Sequence, residues 1–172
     1  MVSTSARGGI GIIAPMSRHA LLVLAVAAAA VSPAGCRTVS ARRSTPPPPP
    51  LAKAILRTAR GYLPEENPDA QRPADCSDFV GRVFRANGLS LPRTSGEMAL
   101  RGKPVSSSRD LRMGDLLFFS GSAGGRKVGH VAIYDGNGIF IHQANPGEGV
   151  RLESLYSDYW RAHYLRARRL ID

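Results

Sequence analysis

Four residues, Asp135-Gly136-Asn137-Gly138, stand between two strand-forming runs, Val128 to Tyr134 and Ile139 to Gln143. Turn residues between runs rich in β-branched and aromatic side chains predict an antiparallel hairpin. Each run carries one histidine, His130 and His142. Because side chains alternate faces along a strand, the parity of the loop decides whether the two rings meet. Pairing centred on Gly136 gives an odd-numbered loop and sets His130 directly across from His142 on one face. An even-numbered loop slips the register by one and sends His142 to the opposite face. Several loop lengths fit these four residues. The ease of Asn-Gly at positive φ suits a three-residue, bulged loop, which is the arrangement expected.

Elements on either side of the hairpin extend the pattern. Leu51 to Gly61 reads as a helix with Ile55 and Leu56 on its apolar face. Glu65 to Ala74 reads as a polar loop. Phe79, Val80, Val83 and Phe84 have the spacing of a helix with one buried face. Asp75 is a suitable N-cap for it, Asp78 can complete a capping pair, and Asn87-Gly88 is a stop signal. A short helix is expected near Ser95 to Leu100. Further strands are expected at Asp115 to Ser120, Val150 to Leu155 and Tyr164 to Leu170, with a helical stretch around Asp158 to His163. Helices first and a meandering antiparallel sheet of about five strands second indicate an α+β fold.

Cys76 falls at the first turn of the second helix. Unpaired N–H groups and the helix dipole there favour a thiolate, which is a nucleophile. Such a nucleophile needs a base and a group to orient that base. His130 can take the thiol proton, His142 can fix the tautomer of His130, and the Cys76 N–H can stabilise an oxyanion. Plainer roles fit the same residues: Cys76 as a small buried hydrophobe, His142 as a satisfied core histidine. One cysteine and two histidines also make a chemically reasonable zinc set. No Cys-x-x-Cys or His-x-x-x-His spacing supports one, and neither a metal nor a cofactor is expected.

The 172 residues carry a net charge of +10, unevenly. Residues 1–50 hold five arginines and no acid, whereas the remainder holds 18 basic and 13 acidic residues. No basic cluster interleaved with aromatics is present, so a mildly cationic surface is read rather than nucleic-acid binding. Ala20 to Val31 is an apolar run too short to span a bilayer, which takes about 20 residues. It fits the core of an export signal, with Met1 or Met16 as the start. Ala34-Gly35 before Cys36 resembles the site at which bacterial lipoproteins are cut and lipid-modified, although Pro33 stands where leucine is usual. An ordinary cleaved signal or a short anchor fits the same run. Residues 1–35 are therefore read as the signal, 36–50 as a stiff proline-rich linker, and 51–172 as the folded domain. With Cys36 carrying lipid, Cys76 is the one free thiol.

Several motifs in order carry a resemblance. Asp75-Cys76-Ser77-x-Phe79-Val80, Leu91-Pro92-Arg93-Thr94-Ser95, Met113-Gly114-Asp115-Leu116-Leu117-Phe118-Phe119 and Gly129-His130-Val131-Ala132-Ile133-Tyr134 come first. Gly138 and Ile141-His142-Gln143-Ala144 complete the series. Together they resemble the NlpC-type cell-wall cysteine peptidases. The resemblance implies a papain-like α+β fold with Cys76 as nucleophile, His130 as base and His142 as orienting residue. It also implies hydrolysis of amide bonds in peptidoglycan stem peptides, typically after γ-linked D-glutamate; with the leader, a monomer lipid-anchored in the cell envelope is expected. Tyr62, Asp75 and Ser77 match positions that shape the cleft or bind a stem-peptide amine in relatives. Two departures stand out. Asp78 replaces a usual glycine, where it can cap the helix, face substrate or raise the thiol pKa. The upstream Tyr-Trp-Gly-Gly features reduce to Tyr62. An amidase or acyltransferase on another envelope substrate, or a catalytically weak wall-associated lipoprotein, are the alternatives.

Overall fold

The computed structural model describes residues 48–122, 124–145 and 147–172. The expected export signal, Cys36 and the linker up to residue 47 lie outside the described residues. No helix among the described residues is long and apolar enough to cross a membrane.

Two helices open the described chain. α1 (Pro50–Arg60) places proline at its start, where no amide hydrogen bond is lost, and buries Ala52, Ile55, Leu56 and Ala59. α2 (Cys76–Ala86) buries Phe79, Val80, Val83 and Phe84, the stripe expected from their spacing. The Asp78 N–H donates to the Asp75 carboxylate at 2.8 Å, so Asp75 is the N-cap. A single turn, α3 (Ser95–Met98), starts with a reciprocal cap between Thr94 and Glu97.

Six antiparallel strands form one sheet: β1 (Lys103–Val105), β2 (Leu116–Ser120), β3 (Val128–Gly136), β4 (Ile139–Gln143), β5 (Val150–Ser154) and β6 (Tyr164–Arg169). Their order is β1-β6-β2-β3-β4-β5. Five of them stand where the apolar runs predict, within a residue or two. β1 is the addition to the expected set of about five. Three residues with a central proline carry no strand pattern, and Pro104 is tolerated because β1 pairs only with β6 at the sheet edge.

Both faces of the central strands are covered, which explains why β2 is apolar at successive positions rather than at alternate ones. Leu116, Phe118, Val131, Ile133 and Ile141 meet α1 and α2. Leu117, Phe119, Ala132, Tyr134 and Phe140 form a second cluster, against which Trp160 of α4 (Asp158–His163) packs. The basic C-terminal strand is fastened from within. Arg169 Nε and Nη2 donate to the two oxygens of the almost fully buried Asp115 at 2.8 and 2.7 Å, tying β6 to the entry of β2.

The central hairpin departs from its expected geometry. Its loop has two residues, Asn137 and Gly138, both at positive φ (51° and 78°) as a two-residue hairpin turn requires. A two-residue loop alone would put His142 on the wrong face. The ladder, however, shifts between Tyr134 and Gly136: Gly136 pairs with Ile139, whereas Tyr134 pairs with Phe140 and Ile133 with Ile141. Asp135 is the extra residue, a β-bulge that restores the parity. Continued from Ile133–Ile141, this register sets His142 beside Ala132. His130 and His142 are therefore diagonal neighbours on one face, not directly opposed as expected.

Candidate active site

The N-terminus of α2 holds one half of the site. Asp75, as cap, points its carboxylate outward. Its Oδ1 accepts from the Ser77 hydroxyl at 2.7 Å and from Arg93 Nη1 at 3.1 Å, and its Oδ2 accepts from Arg93 Nη2 at 2.6 Å. Arg93 Nη1 also donates to Ser77 Oγ at 2.9 Å. Asp75 and Ser77 are thus together, as expected, but bridged by a guanidinium that the motif reading left without a role. Asp78 turns away from the site. Its carboxylate accepts the Ala74 N–H at 2.8 Å and pairs with Arg82 at 3.0 Å, so it serves the helix end. Tyr62 packs edge-on against Phe79 with ring centres 5.6 Å apart, one turn along α2 from Cys76.

The end of the hairpin away from its turn holds the other half. Phe119 pairs with His130 and Ser120 with Val128, so Gly129 is a second bulge immediately before His130. A side chain at Gly129 would come within 2.7 Å of the Gly121 backbone, so only glycine allows β2 and β3 to approach so closely there. His130 Nε2 lies 2.8 Å from His142 Nδ1, and the two ring planes are nearly perpendicular. Trp160 packs on both rings, with centres 5.5 Å from His130 and 5.0 Å from His142. The pair opens onto a cavity of about 570 Å3 that Gly121, Asn145, Tyr159 and Trp160 also line. A cavity of about 610 Å3 at the turn end of the hairpin has no histidine or cysteine in its lining.

Cys76 joins the two halves through the backbone. The β3–β4 ladder ends at Ile133–Ile141. Beyond it, the Val131 N–H points at Cys76 Sγ. The thiol therefore sits where the strands part, against the residue that follows His130. His163, by contrast, is structural: it stacks on Tyr159 and bonds the Tyr159 carbonyl through Nδ1 at 2.7 Å.

The electrostatics correct one expectation. Burial pushes the Cys76 thiol up from its ordinary value, and the Asp75 carboxylate adds to this. The N–H groups of Val131, Ser77 and Cys76 pull the other way without prevailing, so the resting group is a thiol and not the thiolate that helix position alone suggests. Burial also lowers His130 to about 4 and, with His130 and Arg151 adding to it, His142 to about 3. Both rings are neutral at pH 7, which leaves each a lone pair. Asp75 itself is held below the usual carboxylate range, chiefly by Arg93. Iodoacetamide should therefore alkylate Cys76 more slowly at pH 6 to 7 than a free thiol with pKa of about 8.5. Asp75→Asn keeps a competent N-cap and should speed the reaction. Rapid alkylation at pH 6 by the unaltered protein would contradict the resting thiol.

Two groups at this site escaped the sequence reading. Arg93 lay inside a motif, but its partner Asp75 is 18 residues away, with α2 between them. Trp160 lay in a short helix with no periodicity to mark it, and only the fold brings it to the histidines.

Residues 66–169 match the model of the NlpC/P60 family. The chain is 46% identical over 99 residues to the murein DD-endopeptidase MepS/murein LD-carboxypeptidase of Escherichia coli K12, covering 57% of this chain and 50% of that protein. It is 36% identical over 95 residues to the gamma-D-glutamyl-L-lysine dipeptidyl-peptidase of Bacillus subtilis, covering 55% of this chain and 32% of that one. The chain thus matches half or less of the length of these relatives. The crystal structure of an NlpC/P60 family protein from Bacillus cereus superposes with a TM-score of 0.62 at 29% identity, covering 73% of this chain and 42% of that one. With more than half of its residues matched to the family model, the chain belongs to the NlpC/P60 family.

Proposed function

We propose that the protein is a cysteine endopeptidase that hydrolyses amide bonds in peptidoglycan stem peptides through Cys76, His130 and His142. The observation that carries this reading is the contact of 2.8 Å between two neutral, largely buried imidazoles at the mouth of a cavity, one residue from the backbone that holds Sγ. Sγ attacks the scissile carbonyl while His130 Nδ1 takes its proton. The Cys76 N–H and the start of α2 receive the developing oxyanion. His130 passes the proton to the leaving amine, and a thioester remains. Water, deprotonated by His130, then releases the acyl half and restores the thiol. His142 accepts or donates the hydrogen bond that keeps His130 oriented through both steps.

The relatives' names give a murein DD-endopeptidase and LD-carboxypeptidase in one case and a gamma-D-glutamyl-L-lysine dipeptidyl-peptidase in the other. Recognition of a free stem-peptide amine by Asp75 calls for an uncompensated carboxylate. Here Arg93 neutralises it, and Ser77 bonds the same pair. That favours a bond whose recognition needs no free amine, the cross-link of intact wall, with the γ-D-glutamyl bond as the second reading. An intact sacculus digested by the purified protein should release un-cross-linked muropeptides, identified by mass. Cys76→Ala should lower the rate by on the order of 10^3 or more. Cuts within single stems would favour the second reading, and sacculi left whole would sink the hydrolase.

The leader adds an export route and a lipid anchor at Cys36 to this reading, holding the domain off a membrane by the proline linker. Labelled palmitate should enter the protein in a bacterial host and be lost in Cys36→Ser; label that persists in the variant would contradict the anchor.

A further inference from the structure

His142 is 1% exposed, and its Nδ1 faces His130, yet its Nε2 is buried without a polar partner among the described residues. A neutral imidazole carries one N–H, so only two arrangements satisfy the contact of 2.8 Å. In one, His142 Nδ1–H donates to His130 Nε2. His130 then carries its proton on Nδ1 and has no lone pair there for a thiol proton. In the other, His130 Nε2–H donates to His142 Nδ1, which leaves His130 Nδ1 free as a base. The second arrangement places an N–H on His142 Nε2, where no oxygen or nitrogen of the described residues receives it.

Aromatic rings pack against the His142 imidazole. Trp160 stands perpendicular to His142 (85°) at 5.0 Å between centres, and Phe140 lies at 5.2 Å and 65°. The separation and angle to Trp160 suit an N–H directed at a ring face. Indole has the most electron-rich face among side chains, so it attracts an N–H and repels the bare lone pair of the other arrangement. Trp160 is itself held edge-on by Phe119 at 4.8 Å, and α4, which carries it, is capped by Ser157.

We propose that Trp160 is a positioning residue: its indole face accepts the His142 Nε2–H and so selects the tautomer in which His130 Nδ1 is free. The value of that selection to catalysis rests on His130 being the base of the proposed reaction. The tautomer itself does not, and it can be read without substrate.

Long-range proton–nitrogen NMR of the full protein labelled with 15N-histidine, at pH 7, reads each ring nitrogen directly. Expected for the unaltered protein is the Nε2–H form of both histidines, with the His142 Hε2 resonance moved upfield by the indole ring current. Trp160→Phe should keep this form and most of the activity. Trp160→Leu should shift His142 toward the Nδ1–H form and lower kcat by roughly tenfold or more, with KM little changed. A His142 Nδ1–H form in the unaltered protein would overturn the proposal. So would a folded Trp160→Leu protein that keeps the Nε2–H form, or a His142 Hε2 without the ring-current shift, as when a water receives it. The first and last of these outcomes need no variant to fold, and none depends on which bond is cut.

Discussion

Asp135 is the extra residue that lets the two-residue Asn137-Gly138 turn join strands whose far ends carry both histidines on one face. Without it, the register of Gly136–Ile139 would continue along β4, and His142 would point into the helix-side core. The second bulge, at Gly129, re-aims His130 at the other end of the same strand. Two single-residue insertions therefore decide which side chains meet, while the six-stranded ladder supplies the rigidity that makes such small shifts count. The parting of β3 and β4 beyond Ile133–Ile141 then leaves the Val131 N–H to meet the thiol.

The site that results is built from neutral groups. A buried thiol pushed up and two imidazoles pushed down have the same cause, desolvation, and together they disfavour a resting thiolate–imidazolium pair. In the proposed reaction, charge develops only when a carbonyl arrives and the helix start receives the oxyanion. The charged residues nearby are compensated locally: Asp75 by Arg93, Asp78 by Arg82, and Arg151 by Glu148 and Glu153. The rim of the cavity is thus polar but largely neutralised, and the aromatic cluster around Trp160 packs against the imidazoles.

What was legible in the sequence follows from the range of each signal. The α2 stripe, its Asp75 cap and the placement of Cys76 are local, and the structure matches them. The apolar runs of β2, β3 and β4 were equally plain because both faces of the sheet are covered. β1 was not, since three residues around Pro104 have no pattern until β6 lies beside them. The parity of the hairpin was only conditionally readable: Asn-Gly announces a turn, but a bulge one residue earlier depends on how the strands fit their neighbours. Asp78 and Arg93 show the same limit. Their types and spacing permitted several roles, and the partners that decide among them come from packing. Trp160 needed the whole fold, because α4 lies on the connection from the edge strand β5 back to β6 and meets the histidines only there.

Neutral imidazoles acting on a resting thiol are the centre of this account, and the pH dependence of kcat/KM on a defined cross-linked muropeptide tests them most directly, because it reports the free enzyme. The predicted profile has an acid limb at about 4, where His130 gains its proton, and is level from about pH 5 to 7. A limb near 6.5, the value of a solvated histidine, would contradict the buried pair. A rate that climbs about tenfold per pH unit through neutrality would contradict it too, because the reaction would then require a preformed thiolate.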